Sequence, residues 1–190
     1  MIPQVDNKSE EFDLNLYKSI KLEGDFETLG VSKKTHDGYL ELIKTSQSAT
    51  SKETKNNVYF TITKSYYLNN NIKKKGLFFN VSWGGFKKGI WYEFDEQGNL
   101  KKETNYDKSY QFNFDDILTF CKKNGIPVDK GPILQSTGYH TMIKRNEDVE
   151  KSGAVWEIRW LKEPDLEEII KLDGKTGKVL ERREQGFINN

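Results

Sequence analysis

The sequence predicts an α+β fold, mostly antiparallel β, with an N-terminal β-meander of stacked hairpins followed by a helix and a small antiparallel sheet. Three observations predict it. Val58, Phe60 and Ile62 alternate with polar residues, the period of a half-buried strand. The stretch from Tyr66 to Tyr106 repeats itself weakly at an offset of 28 residues: Ile72 falls on Leu100, Asn71 on Asn99, Lys73 on Lys101 and Tyr66 on Phe94. Such self-similarity is the signature of stacked hairpin units. At Asn113 the period changes, and Phe114, Ile117, Leu118 and Cys121 take the i, i+3, i+4, i+7 spacing of one helix face.

The chain has 190 residues, enough for one domain or two small ones. We divide it at 1–108, the meander, and 109–190, the helix plus sheet, and expect the two to pack as one unit. Hydrophobic residues make up 35% and aromatics 13%, so rings rather than aliphatic chains fill the core. A net charge of +1 argues against bulk attraction to nucleic acid or an anionic membrane. The charge is unevenly spread. Met1 to Gly30 holds seven acids against three lysines, whereas Thr54 to Tyr92 holds seven lysines, no acid and ten aromatics. A single cysteine allows no internal disulfide. It fits the bacterial cytoplasm, with periplasm or envelope the expectation if a leader peptide has been removed ahead of Met1. No run is long and apolar enough to span a membrane.

Residues 1–12 read as polar and loose, with Ser9-Glu10-Glu11 a helix start and Leu14, Leu16 and Ile20 anchoring on the core. Asp37-Gly38 is a two-residue hairpin signal between a strand near 26–33 and Tyr39–Lys44. Ser46 to Asn57 has one alanine among Ser, Thr, Lys and Asn, which predicts a mobile loop. A strand follows from Val58, then the repeat. Leu77, Phe79, Val81 and Trp83 share a face, Gly84-Gly85 turns, and Ile90, Tyr92 and Phe94 alternate with Trp91 and Glu93. Asn113 caps the helix, Asp115 and Asp116 complement its positive end, and Lys122, Lys123, Gly125 and Pro127 close it. Tyr139–Lys144, Ala154–Trp160, Glu168–Leu172 and Lys178–Arg182 are further strands, the last two joined through Asp173-Gly174-Lys175-Thr176-Gly177.

Two resemblances add to this reading. Gly89, Trp91, Phe94, Gly98 and Leu100 sit on a pattern similar to the MORN-like repeats of YwqK-type antitoxin proteins, with Asn70 standing where the first copy should have glycine. This resemblance implies a non-catalytic surface of paired strands and a role as a toxin antidote. Residues 114–180 resemble PepSY-like modules, whose last hairpin is matched by Asp173, Thr176, Gly177, Val179 and Leu180. That implies a cell-envelope setting with an inhibitory or binding role.

The search for chemistry yields little. Cys121 lies on the apolar helix face and reads as a core cysteine. His36 and His140 are the only histidines, so Cys121–His140 is the one nucleophilic dyad available, and its spacing does not support it. No His-x-x-x-His or Cys-x-x-Cys pair is present. Glu163, Asp165, Glu167 and Glu168 flank Pro164 and read as a solvated loop. Gly174-Lys175-Thr176-Gly177-Lys178 is too short for a phosphate loop and is followed by Val179. We therefore expect no enzyme, cofactor or metal.

What remains is the basic aromatic window. Lys73, Lys74, Lys75, Lys87 and Lys88, with Trp83 and Phe86, are the expected partner-binding residues. Their charge suits an acidic protein partner, such as an acidic toxin domain. The window holds no arginine, which argues against nucleic acid as the partner. The function expected is a non-catalytic immunity or antitoxin-type module that occludes a toxin. The alternative is a cell-envelope protein or lipoprotein with a PepSY-like module that binds peptide or wall.

Overall fold

The computed structural model describes residues 2–22, 30–81, 84–133, 138–146, 149 and 153–186. It is α+β, and its strands pair antiparallel throughout. The chain divides into two compact units. One comprises Met1–Asn80, Lys87–Asn105 and Lys130–Pro132, the other Val81–Phe86, Tyr106–Asp129 and Ile133–Asn190.

The first unit opens with an extended arm. Glu11 forms a bridge with Asn71, Phe12 N–H donates to Asn70 O at 2.8 Å, and Ile72 N–H donates to Glu10 O at 2.9 Å. These bonds hold Glu10–Phe12 extended, so no helix starts at Ser9. It begins instead after Asp13, whose Oδ1 accepts the Leu16 N–H at 2.8 Å, and α1 spans Leu14–Leu22. Its Tyr17 and Ile20 join Phe12, Leu42, Ala49, Tyr66, Ile72 and Phe94 in one core, with Leu14 and Leu16 packed at its margin.

Seven strands follow in chain order, each hydrogen-bonded to its sequence neighbour: β1 Gly30–Lys34, β2 Gly38–Lys44, β3 Ala49–Lys55, β4 Phe60–Tyr66, β5 Ile72–Phe79, β6 Lys87–Phe94 and β7 Leu100–Asn105. The β1–β2 turn closes through Thr35 N–H on Gly38 O, so its tip is His36-Asp37 and Gly38 already belongs to β2. The expected partner strand near 26–33 lies partly outside the described residues.

β3 is the largest departure from expectation. The Ser/Thr/Lys stretch read as a loop is a central strand, paired on both sides. Its backbone groups are satisfied by the ladders of β2 and β4, and its buried hydroxyls pair with one another across strands. Thr54 Oγ1 lies 2.6 Å from Thr61 Oγ1, and Ser51 Oγ lies 3.2 Å from Tyr66 Oη. Hydroxyls that find partners can be buried at little cost.

The 28-residue repeat is a pair of matching hairpins. In β4–β5, Tyr66 pairs with Ile72 and the register shifts beside Ser65; in β6–β7, Phe94 pairs with Leu100 and the register shifts beside Glu93. Turn bonds recur at the same offset: Tyr67 N to Asn71 O and Asn70 N to Tyr67 O in one, Asp95 N to Asn99 O and Gly98 N to Asp95 O in the other. Asn70 has φ 70° and Gly98 φ 85°, so asparagine fills the left-handed position that glycine fills in the second copy. The turns also bond to each other, since Asn69 Nδ2 and Asn71 Nδ2 both donate to Glu96 O.

The second unit holds α2, Phe114–Lys123, and a four-stranded sheet in the order β11-β10-β9-β8, with β8 Met142–Arg145, β9 Val155–Glu163, β10 Leu166–Asp173 and β11 Val179–Gly186. Asn113 caps α2 as read. Its side chain accepts from the Asp115 and Asp116 N–H groups, and Asp116 returns a carboxylate to the Asn113 N–H. Phe114, Ile117 and Cys121 are buried, as are Trp156, Ile158, Ile170 and Leu172 of the sheet. Arg145 threads this core, its guanidinium 4.3–4.6 Å from the rings of Phe86, Tyr110 and Trp156 and 2.8 Å from Asp107.

Candidate binding surface

The lysine-rich window becomes β5 and β6, and its side chains divide between the two faces of the sheet. Lys74, Glu93 and Lys102 stand opposite one another on β5, β6 and β7. Between Lys75 and Leu77 the β5–β6 register shifts, and β6 there carries Gly89 at φ 66° and an exposed Ile90. This irregularity brings Trp91 over Gly76. A Cβ at Gly76 would lie 2.3 Å from Trp91 Cδ2, so only glycine lets the indole rest on β5. Trp91 Nε1 donates to Leu77 O at 3.1 Å.

Two ammonium groups bear on this ring. Lys74 Nζ lies 5.8 Å and Lys87 Nζ 5.6 Å from its centroid. Glu93 accepts from Lys74 at 2.7 Å. That hydrogen bond holds the Glu93 carboxyl below the usual carboxylate range, and the positive charges of Lys102 and Lys87 add to the effect. One carboxylate thus sits among three ammonium groups, leaving a net positive patch beside a fixed indole. Lys73 and Lys101 are the extra residues where the two matching hairpins shift register, and both are exposed. Lys73 Nζ rests 5.4 Å over the Tyr67 ring. It also lines a cavity of about 510 Å³ with Gln47, Ser48, Thr50, Ser65 and Tyr67.

The expected site residues therefore separate. Lys73 is exposed, and Lys74, Lys87 and Lys88 are partly exposed on β5 and β6. Lys75 does not: it is 3% exposed, bound to Asp6 and Glu10 at 2.9 Å each. Alternation along β5 turns it to the opposite face from Lys74, under the N-terminal arm. Phe86 is also interior, packed at 5.7 Å on Phe114 and 5.0 Å on Trp156 in the second unit. Trp83 lies outside the described residues. Sequence reading missed Trp91, Glu93, Lys101 and Lys102 as members of the patch. The signal for Lys101 was present, since the repeat sets it under Lys73.

Cys121, His140, Glu167 and Glu168 are accounted for by burial or by side-chain partners. Burial pushes the Cys121 thiol up to about 12, so it stays protonated at neutral pH. His140 Nδ1 is 2.7 Å from Asp129 Oδ2. Glu167 and Glu168, expected in a solvated loop, are buried in β10. Glu167 accepts from Tyr139 Oη and Gln185 Nε2, and Glu168 from Trp160 Nε1. These donors replace the water the carboxylates lose. Among the described residues no three His, Cys, Asp or Glu side chains gather as metal ligands, and no helix is long and apolar enough to cross a membrane. No protein family, curated protein or solved structure matches the chain.

Proposed function

We propose that the protein is a non-catalytic binding module of the immunity or antitoxin kind, which occludes an acidic face of a partner protein with the outer surface of β5–β7. One observation carries the reading: Lys74, Lys87 and Lys102 surround a single carboxylate, Glu93, with two of the amines over the buried indole of Trp91. Lys73 and Lys101 extend the charge along β5 and β7, whereas Lys88, opposite Leu77, turns to the Lys75 face.

Such a patch favours fast, salt-sensitive association with a negatively charged protein. The buried indole, held in place by Gly76 and the Leu77 carbonyl, supports the two amines above it, so that they lose little entropy on binding. Lysine presents point charges rather than the planar forks that read bases and phosphates, which favours a protein partner over nucleic acid.

The test is affinity capture from the source cells with the wild-type chain and the Lys74→Glu/Lys87→Glu variant in parallel, eluted with rising salt. A stoichiometric protein that is held by the wild type, released by salt and lost from the variant is expected. Purified, it should lose its own activity when the wild-type chain is added. The same proteins on both columns would remove the interface from this face.

A further inference from the structure

A second basic site lies on the other side of the same sheet, and the chain's own N-terminal arm fills it. Lys64 of β4 and Lys75 of β5 are direct partners in the ladder. Lys75 Nζ donates to Asp6 Oδ1 at 2.9 Å, to Lys8 O at 2.6 Å and to Glu10 Oε1 at 2.9 Å. Glu10 Oε2 takes Lys64 Nζ at 2.5 Å, so one carboxylate bridges both amines. The oxygens come from two carboxylates, Asp6 and Glu10, and from the main-chain carbonyl of Lys8, which a bend at Asn7 and the Lys8 N–H bond to Asp6 Oδ1 at 3.2 Å bring to the same amine. Lys75 also lies 5.7 Å over the Phe94 ring, which fixes its stem.

The arm is held unequally along its length. Glu10 and Phe12 are bound by main-chain hydrogen bonds, and Phe12 is buried in the core. Residues 6–9 are exposed and make no such ladder; Asp6 and Lys8 O bond to Lys75, and Ser9 rests beside Gly98 of the β6–β7 turn. Between this part of the arm and the sheet is an open cleft of about 490 Å³, lined by Val5, Ser9, Ile62, Lys64 and Lys75 among others. A segment that served only to cover the core would fill that space with apolar side chains. Here it spans the space and touches down through charge.

We propose that Lys64 and Lys75 form a recognition site for an extended acidic peptide segment with Asp-x-x-x-Glu spacing, and that Asp6–Glu10 is its intramolecular occupant. A segment of the same chemistry from another protein takes the place of both carboxylates when the arm lifts from Gln4 to Ser9 and the Glu10 side chain turns away, its main chain still bonded to Ile72. Lys75 faces away from Lys74 and Trp91, so this site does not depend on the face assigned to the partner above.

The test uses a fluorescent peptide with the sequence of Gln4 to Glu10, titrated at low salt into full-length chains. Wild type binds it weakly because its own arm competes. The Asp6→Asn/Glu10→Gln chain is expected to bind about tenfold tighter, the scale of charge-assisted hydrogen bonds to a largely buried amine. Adding Lys75→Met to that chain should abolish the gain. A peptide carrying Asn and Gln in place of its two acids should not bind, and Glu163→Gln/Asp165→Asn, a charge-matched control at the β9–β10 turn, should behave as wild type. No gain in the doubly neutralised chain, or an equal gain with the neutral peptide, overturns the proposal. If the double variant does not fold, Asp6→Asn alone decides it, since Glu10 still pairs both amines there; absence of any gain in that chain overturns it equally.

Discussion

Neighbouring lysines on one strand have opposite fates here. Lys73 is exposed, whereas Lys75 is 3% exposed and surrounded by three oxygens. Reversal of Lys73 to Glu should change stability by no more than about 0.5 kcal/mol. Lys75→Glu sets a new carboxylate against Asp6 and Glu10, and should cost at least about 2 kcal/mol. Urea unfolding of the two single variants checks this contrast, and equal midpoints would contradict the burial of Lys75. Gly76 makes a second residue-scale prediction. Alanine there collides with the Trp91 ring, so Gly76→Ala should lose about 1–3 kcal/mol, and quenching of tryptophan fluorescence by iodide should rise as the indole leaves its place. In the sequence the lysines looked alike because charge and composition carry no facing. Facing depends on the register, and the shift between Lys75 and Leu77 appears only once β6 is paired.

At the scale of elements, legibility followed whether burial was written in apolar residues. α2 was legible because its cap, its apolar stripe and its terminal charges all agree. Its Asn113→Ala variant should lose about 1 kcal/mol, measurable as a shift of the thermal midpoint. The matching hairpins were legible through their offset, and the turn geometry explains why Asn70 can replace a glycine. Gly98→Ala should be costly, because φ is 85° and a Cβ would lie 2.5 Å from Ser9 Oγ; a loss of about 1–2 kcal/mol is expected, whereas Asn70→Gly suits the backbone and should cost only about 1 kcal/mol, for the lost bond from Lys44 Nζ to Asn70 Oδ1 at 2.9 Å. β3 was illegible for the opposite reason. Its strand character lies in hydroxyl pairs and in two neighbouring ladders, neither of which leaves an alternating apolar pattern. Glu167 and Glu168 misled in the same way, since their burial depends on Tyr139, Gln185 and Trp160, residues distant in sequence.

At the scale of the whole molecule, stability should be bounded by pH on both sides. Hydrogen bonds from Lys75 and from the Lys8 N–H hold the Asp6 carboxyl low. Burial pushes Glu10 up, but its bonds to Lys64 and Lys75 outweigh that and leave it low as well. Glu93, bound to Lys74, and Asp95 and Asp173, bound to their turn N–H groups, are lowered too. A carboxyl whose pKa is lower folded than unfolded contributes stability above about 4, and that contribution fades as pH falls through the folded value. On the alkaline side, burial raises the Tyr66 phenol to about 12. The unfolded chain then ionises first, and stability falls as pH rises from about 10 toward that value. Urea midpoints at pH 3, 7 and 11 should therefore be highest at 7. An unchanged midpoint at pH 3 would mean that these carboxylates are no better stabilised in the folded chain than in the unfolded one.

The seven-stranded sheet pairs every strand with its sequence neighbour and crosses none. Its growth is therefore open-ended in a way that closed or interleaved sheets are not. Duplicating a hairpin beside its original would add two strands at β7, leave every earlier pairing in place and set another lysine in line with Lys73 and Lys101. The gene could thus lengthen the charged surface, or shorten it, in whole hairpins without redesigning the core.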